Sequence, residues 1–152
     1  MKSAEIEVRA VVDFLESASA ATLEVKRLHR RLEALDERRG KLRAQSGATA
    51  KRITKLLALE REREVLLIGE ELANYRRVEE FLARVPEMTH RTILRRRSLD
   101  VGKSWDEIRD DLAADGLFYS PRHMQRLHTQ ALEAAQKLWT TEREEGTVRE
   151  RR

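Results

Sequence analysis

Between Ser120 and Leu132, in the stretch SPRHMQRLHTQAL, the chain carries two arginines and no acid. In a helix, Met124, Leu127 and Ala131 share one face, which leaves Arg122, His123, Gln125, Arg126 and Thr129 outward near the amino-terminal end. An arginine can bond both O6 and N7 of guanine, and a glutamine amide both N6 and N7 of adenine. The helix start adds backbone amides and a partial positive charge that suit a phosphate. The chemistry on offer is readout of a duplex groove by a helix. An amphipathic helix with a solvated basic face carries the same pattern.

The elements that must position these side chains announce themselves at two helix starts sixteen residues apart. Ser120 is placed to cap and Pro121 to occupy the first helical position, where its missing donor costs nothing. Upstream, Ser104-x-x-Glu107 reads as a capping box, with Ile108 and Leu112 as inner face and Gly116 as the break. The earlier helix is acidic: Asp106, Glu107, Asp110, Asp111 and Asp115 stand against Arg109 alone. The later helix is therefore the one a phosphate would tolerate. Trp105 is expected to seal the core, and Phe118 with Tyr119 to pack the connector inward. Before them, Thr89 to Leu99 reads as a short helix broken at DVGKS, where Gly102 precedes the new start. Its run Arg95, Arg96 and Arg97 must fan out, so at most two can face one strand, either as a solvated face or as phosphate contacts.

SWDEIRDDL followed by YSPRHMQRLHTQAL resembles the helix-turn-helix of region four of bacterial sigma factors, and more closely phage late-gene transcriptional activators of the ArpU and RinA kind. RTILRRRSLDVGKSWDEI resembles their preceding helix, a short turn and the tryptophan-bearing helix start. The resemblance covers about residues 86 to 139. It implies that Arg122, Gln125 and Arg126 face the bases, that Ser120 and His123 lie near the DNA backbone, and that Met124, Leu127, Ala131 and Leu132 are buried. Contact with host RNA polymerase is implied by the resemblance alone. One departure is the connector AADGLFY, about five residues longer than the usual turn.

Upstream, Val8, Val11, Leu15, Ala18, Thr22, Val25, Leu28, Leu32 and Leu35 recur at spacings of three and four from about Ser3 to Arg39, the stripe of a long helix. A second helix is expected from about Ala50 to Val85, with Ile53, Leu56 and Leu57 at its start and Ile68, Leu72, Tyr75, Val78, Leu82 and Val85 toward its end. Two such stripes joined by a short loop make an antiparallel hairpin, with dimerisation through the same stripes as the competitor. Pro86 marks the domain boundary, because the residue before proline leaves the helical region. Lys26 to Lys55 holds eleven bases (Lys26, Arg27, Arg30, Arg31, Arg38, Arg39, Lys41, Arg43, Lys51, Arg52 and Lys55) against Glu33, Asp36 and Glu37, a local +8 at the hairpin tip. Such a patch fits either DNA backbone contact or a solvated helix end.

The 152 residues are 38% charged and 5% aromatic with two prolines, a composition that favours helices with much exposed surface. Net charge of +4 tilts mildly toward anionic partners. Without cysteine there is neither a disulfide nor a thiolate metal site, and no apolar run approaches the roughly 18 residues of a membrane span. His29, His90, His123 and His128 offer no pair at metal-binding spacing, and the glycines form no phosphate loop, so no metal, cofactor or catalytic residue is expected.

The sequence thus predicts an all-α protein: a long antiparallel, coiled-coil-like hairpin over 1–85 able to oligomerise, a helix-turn-helix over 86–140, and a disordered tail over 141–152. The expected function is sequence-specific binding of double-stranded DNA in transcription control, as a phage or prophage late-gene activator in the cytoplasm of a bacterial host, at the nucleoid. Its expected contacts are Ser120, Arg122, His123, Gln125, Arg126, Thr129, Arg95 and Arg96. The rivals are a small terminase-like DNA-packaging protein, whose usual order puts the DNA-binding part first, and a helical protein-binding module without a nucleic-acid role.

Overall fold

In the computed structural model, residues 2–45, 47–100 and 103–150 are described, with side chains from 8 to 146. The break expected at Gly102 lies outside them. The chain is all-helical: α1 (Lys2–Arg43), α2 (Ala48–Ala83), α3 (Met88–Ser98), α4 (Trp105–Ala114) and α5 (Pro121–Glu150). No strand occurs among the described residues. The two long helices pack against each other as a hairpin, as their stripes require. Arg31 Nε lies 3.2 Å from Glu64 Oε1 and Arg61 Nε 2.9 Å from Asp36 Oδ1, tying the basic part of α1 to α2. Between the helices Ala21, Leu28 and Leu35 are buried from one side and Leu57 and Ile68 from the other.

The helix stripes need trimming at three positions. Leu56 and Leu72 are 61% and 41% exposed, and Val8 is 39% exposed. At about 100° per residue Leu56 cannot share the inward direction of its buried neighbour Leu57.

The expected boundary at Pro86 is corrected. Compact units divide the chain inside the long helices: one holds Met1–Ser19 with Tyr75–Arg152, the other Ala20–Asn74. Pro86 does stop a helix, with α2 ending at Ala83, but it does not end a core. Val85 just before it and Leu94 after it belong to one cluster with Val11, Leu15, Phe81 and Ala135. Ser19 Oγ donates to the carbonyl of Ser98 at 2.7 Å, satisfying the last turn of α3 from α1.

The tail expected to be disordered over 141–152 is helical as far as Glu150. Its glutamates and arginines are good helix formers, no proline interrupts it, and Arg84 forms a two-pronged ion pair with Glu142. Arg151 and Arg152 lie outside the described residues.

Candidate nucleic-acid interface

The second core cluster sets the site. Ile93 of α3, Ile108 and Leu112 of α4, and Met124 of α5 are all at most 2% exposed, with Trp105, Leu117, Tyr119 and Leu127 packed around them. Ser104 Oγ accepts the Glu107 amide at 3.2 Å, the serine half of the capping box. At the other end of α4 the amide of Leu117 donates to Leu112 O at 2.8 Å and that of Gly116 to Ala113 O at 3.0 Å. This is the Schellman arrangement, with Gly116 at φ +86° taking the left-handed position and Leu117 folding back onto the cluster.

The long connector is thus a helix stop followed by four residues, Leu117 to Ser120, whose side chains alternate. Leu117 and Tyr119 pack inward; Phe118, expected inward, is 80% exposed. Period-two alternation of a non-helical segment explains the correction. The same alternation is the sequence signal that places Phe118 outward, three residues before the start of α5. Tyr119 stacks on His123 with ring centroids 5.1 Å apart at 24°, which fixes the imidazole against the connector.

Helix α5 then starts as expected. Ser120 Oγ accepts the amide of His123 at 3.2 Å, so its oxygen serves the helix start first. Met124 and Ala131 are buried at 2% and 0%, while Leu127 and Leu132 are half-buried. Arg122, His123, Gln125, Arg126 and Thr129 are all exposed, so the structure brings these five candidates onto one face. Thr129 Oγ1 donates to Gln125 O at 3.0 Å, leaving that hydroxyl as an acceptor only.

The arginine run of α3 divides three ways. Arg96 approaches Asp100, Asp111 and Asp115 at 3.5, 3.9 and 3.8 Å, so its charge faces carboxylates of its own chain. Arg97 lies over the Trp105 ring at 4.9 Å and donates to Lys103 O. Arg95 is exposed, without a carboxylate at ion-pair distance among the described residues. Lys103 also pairs with Asp111, and the hydrogen bond between them holds the carboxyl below its ordinary range and the ammonium above its own. The acids of α4 are thereby partly neutralised: Arg109 lies 3.8 Å from Asp106, and Glu107 and Asp110 remain exposed.

Trp105 seals the cluster as expected, with the His128 ring edge-on at 4.7 Å. Desolvation, with Arg97 adding repulsion, pushes the His128 imidazole below its ordinary 6.5. The unfolded chain therefore takes up this proton first, and stability should fall as pH drops from about 7 through the unfolded value of roughly 6.5. Melting temperatures followed from pH 7.5 to 5 should decline, and H128Q should flatten that part of the profile. A profile unchanged by H128Q would remove His128 as its cause.

Among the described residues no group of three or more histidines, cysteines or acids is placed to hold a metal ion, and no helix is long and apolar enough to cross a membrane. No family model, curated protein or solved structure matches the chain.

Proposed function

We propose that this protein is a sequence-specific DNA-binding transcriptional regulator that lays the start of α5 in the major groove. One observation carries the reading: Arg122, Gln125 and Arg126 stand exposed on the first turns of α5, and neither arginine has an ion-pair partner among the described residues. Their helix is anchored by the Ser120 cap and by Met124 and Ala131 from behind. A helix presented this way, with donors free and its reverse side fixed, has the geometry that direct readout requires. Phe118 adds an apolar contact next to that start, suited to a sugar or a thymine methyl.

The finer setting, late-gene activation in a phage or prophage with contact to host RNA polymerase, is carried by the resemblance of residues 86 to 139. Exposed bases of the hairpin, among them Arg30, Arg38, Arg43 and Lys51, supply charge for sequence-independent phosphate contact. Selection from a random duplex library, followed by footprinting and guanine-N7 methylation interference, tests the reading. The expected result is a defined site with major-groove interference. Equal affinity for selected and random duplexes, or no salt-dependent binding at all, overturns it.

A further inference from the structure

The hairpin spends its inner stripes on itself, yet α2 has a second apolar line on its opposite side. Leu59 and Leu66 are 62% and 69% exposed, and each follows a buried residue, Leu57 or Glu64, by two positions, about 200° around the helix. Leu56 at 61% and the Cβ-less Gly69 flank them, with nothing within 4 Å of where a Cβ on Gly69 would sit. A run of leucines facing away from the core of its own hairpin marks an interaction surface.

The charges beside the stripe identify its occupant. Lys55, Glu62, Arg63 and Glu70 are exposed, and none has an ion-pair partner among the described residues. About a two-fold axis passing between Glu62 and Arg63, an antiparallel copy of the same helix sets Leu59 opposite Leu66, Leu56 opposite Gly69, Glu62 opposite Arg63 and Lys55 opposite Glu70. Within residues 55–70, each of these leucines meets a leucine or a glycine hole, and each of these four charges meets its opposite. A parallel pairing in register would instead put Lys55 on Lys55 and Glu70 on Glu70. Self-complementarity under a two-fold rotation is the signature of an isologous interface.

We infer that the outward face of α2, centred on Leu59 and Leu66, pairs antiparallel with the same face of a second copy of this chain. The inference rests on the hairpin alone and holds whether or not α5 reads DNA. The stripe from Lys55 to Glu70 is about 23 Å long, short for a permanent interface, so the dimer is expected to dissociate on dilution through the micromolar range.

Sedimentation of the full chain over a concentration series should show a monomer–dimer equilibrium. L66E should raise its dissociation constant at least about ten-fold with helicity by circular dichroism unchanged, since Leu66 is outside the hairpin core. K55E and E70K should each weaken the dimer and the double variant K55E/E70K should restore it. Because the chain has no cysteine, orientation can be read directly: L59C mixed with L66C should cross-link under oxidation, and L59C alone should not. A wild-type chain that stays monomeric at 100 μM overturns the inference. So does L66E with unaltered association, efficient L59C homodimer cross-linking, or a monomer that takes up a different protein on this face.

Discussion

Phe81→Ala is expected to remove about 3–5 kcal/mol from the stability of the unit that contains α5. Phe81 is 2% exposed and sits at the meeting point of three elements. Its ring lies edge-on to Phe14 of α1 at 5.4 Å and to Trp139 of α5 at 5.9 Å, and those two rings are 4.9 Å from each other. Truncation removes one member of a mutually packed trio and opens a cavity among side chains from the long helices and α5, which cannot all collapse into it. Urea unfolding followed by tryptophan fluorescence and by circular dichroism measures the loss. Phe118→Ala is the internal control: it deletes the same ring from an 80% exposed position and should change stability by less than about 0.5 kcal/mol. Similar losses for the two would mean that the trio does not hold the unit together.

That trio also explains which parts of the fold were legible in the sequence. Helices, their starts and their inner faces follow from spacing: Val11, Leu15, Leu28, Ile108 and Met124 all lie where their periodicity put them. Ser104, Gly116 and Ser120 punctuate as their chemistry requires. Which helices share a core is a different kind of information. Pro86 reads as a boundary because it stops a helix, yet Phe14 meets Trp139 across more than a hundred residues of sequence, with Phe81 in the same cluster. No local pattern encodes that.

At the candidate interface the split is similar. The five outward residues of α5 follow from the wheel, because one buried stripe fixes everything on the opposite face. Arg96 and Phe118 do not. Arg96 faces carboxylates because α4 brings Asp111 and Asp115 within 4 Å of it, a tertiary fact. Phe118 turned outward because a connector read as a generic apolar segment alternates instead. Composition placed the excess positive charge at the hairpin but could not say which cations Glu24, Glu37 and Glu64 would neutralise: these are Arg27, Lys41 and Arg31.

Arg126→Ala should cost about 1–3 kcal/mol of binding at the selected site, roughly 5- to 150-fold, and relax preference at a single base pair. Arg122→Ala should act likewise at a neighbouring position. Neither should move the melting temperature by more than about a degree, because both side chains are exposed and without an ion pair among the described residues. The double change R38Q/R43Q is the counterpart on the hairpin. If these two cations contact phosphates, it should weaken selected and random duplexes alike and lower the slope of log K against log salt by about 2. Fluorescence anisotropy with both duplexes at three salt concentrations separates the outcomes. A base-reading arginine changes the ratio of the two affinities, whereas a phosphate-binding one leaves the ratio and changes the slope. Should Arg126→Ala lower both affinities equally, α5 would be binding backbone only, and sequence choice would have to reside in side chains other than those its amino-terminal turns present.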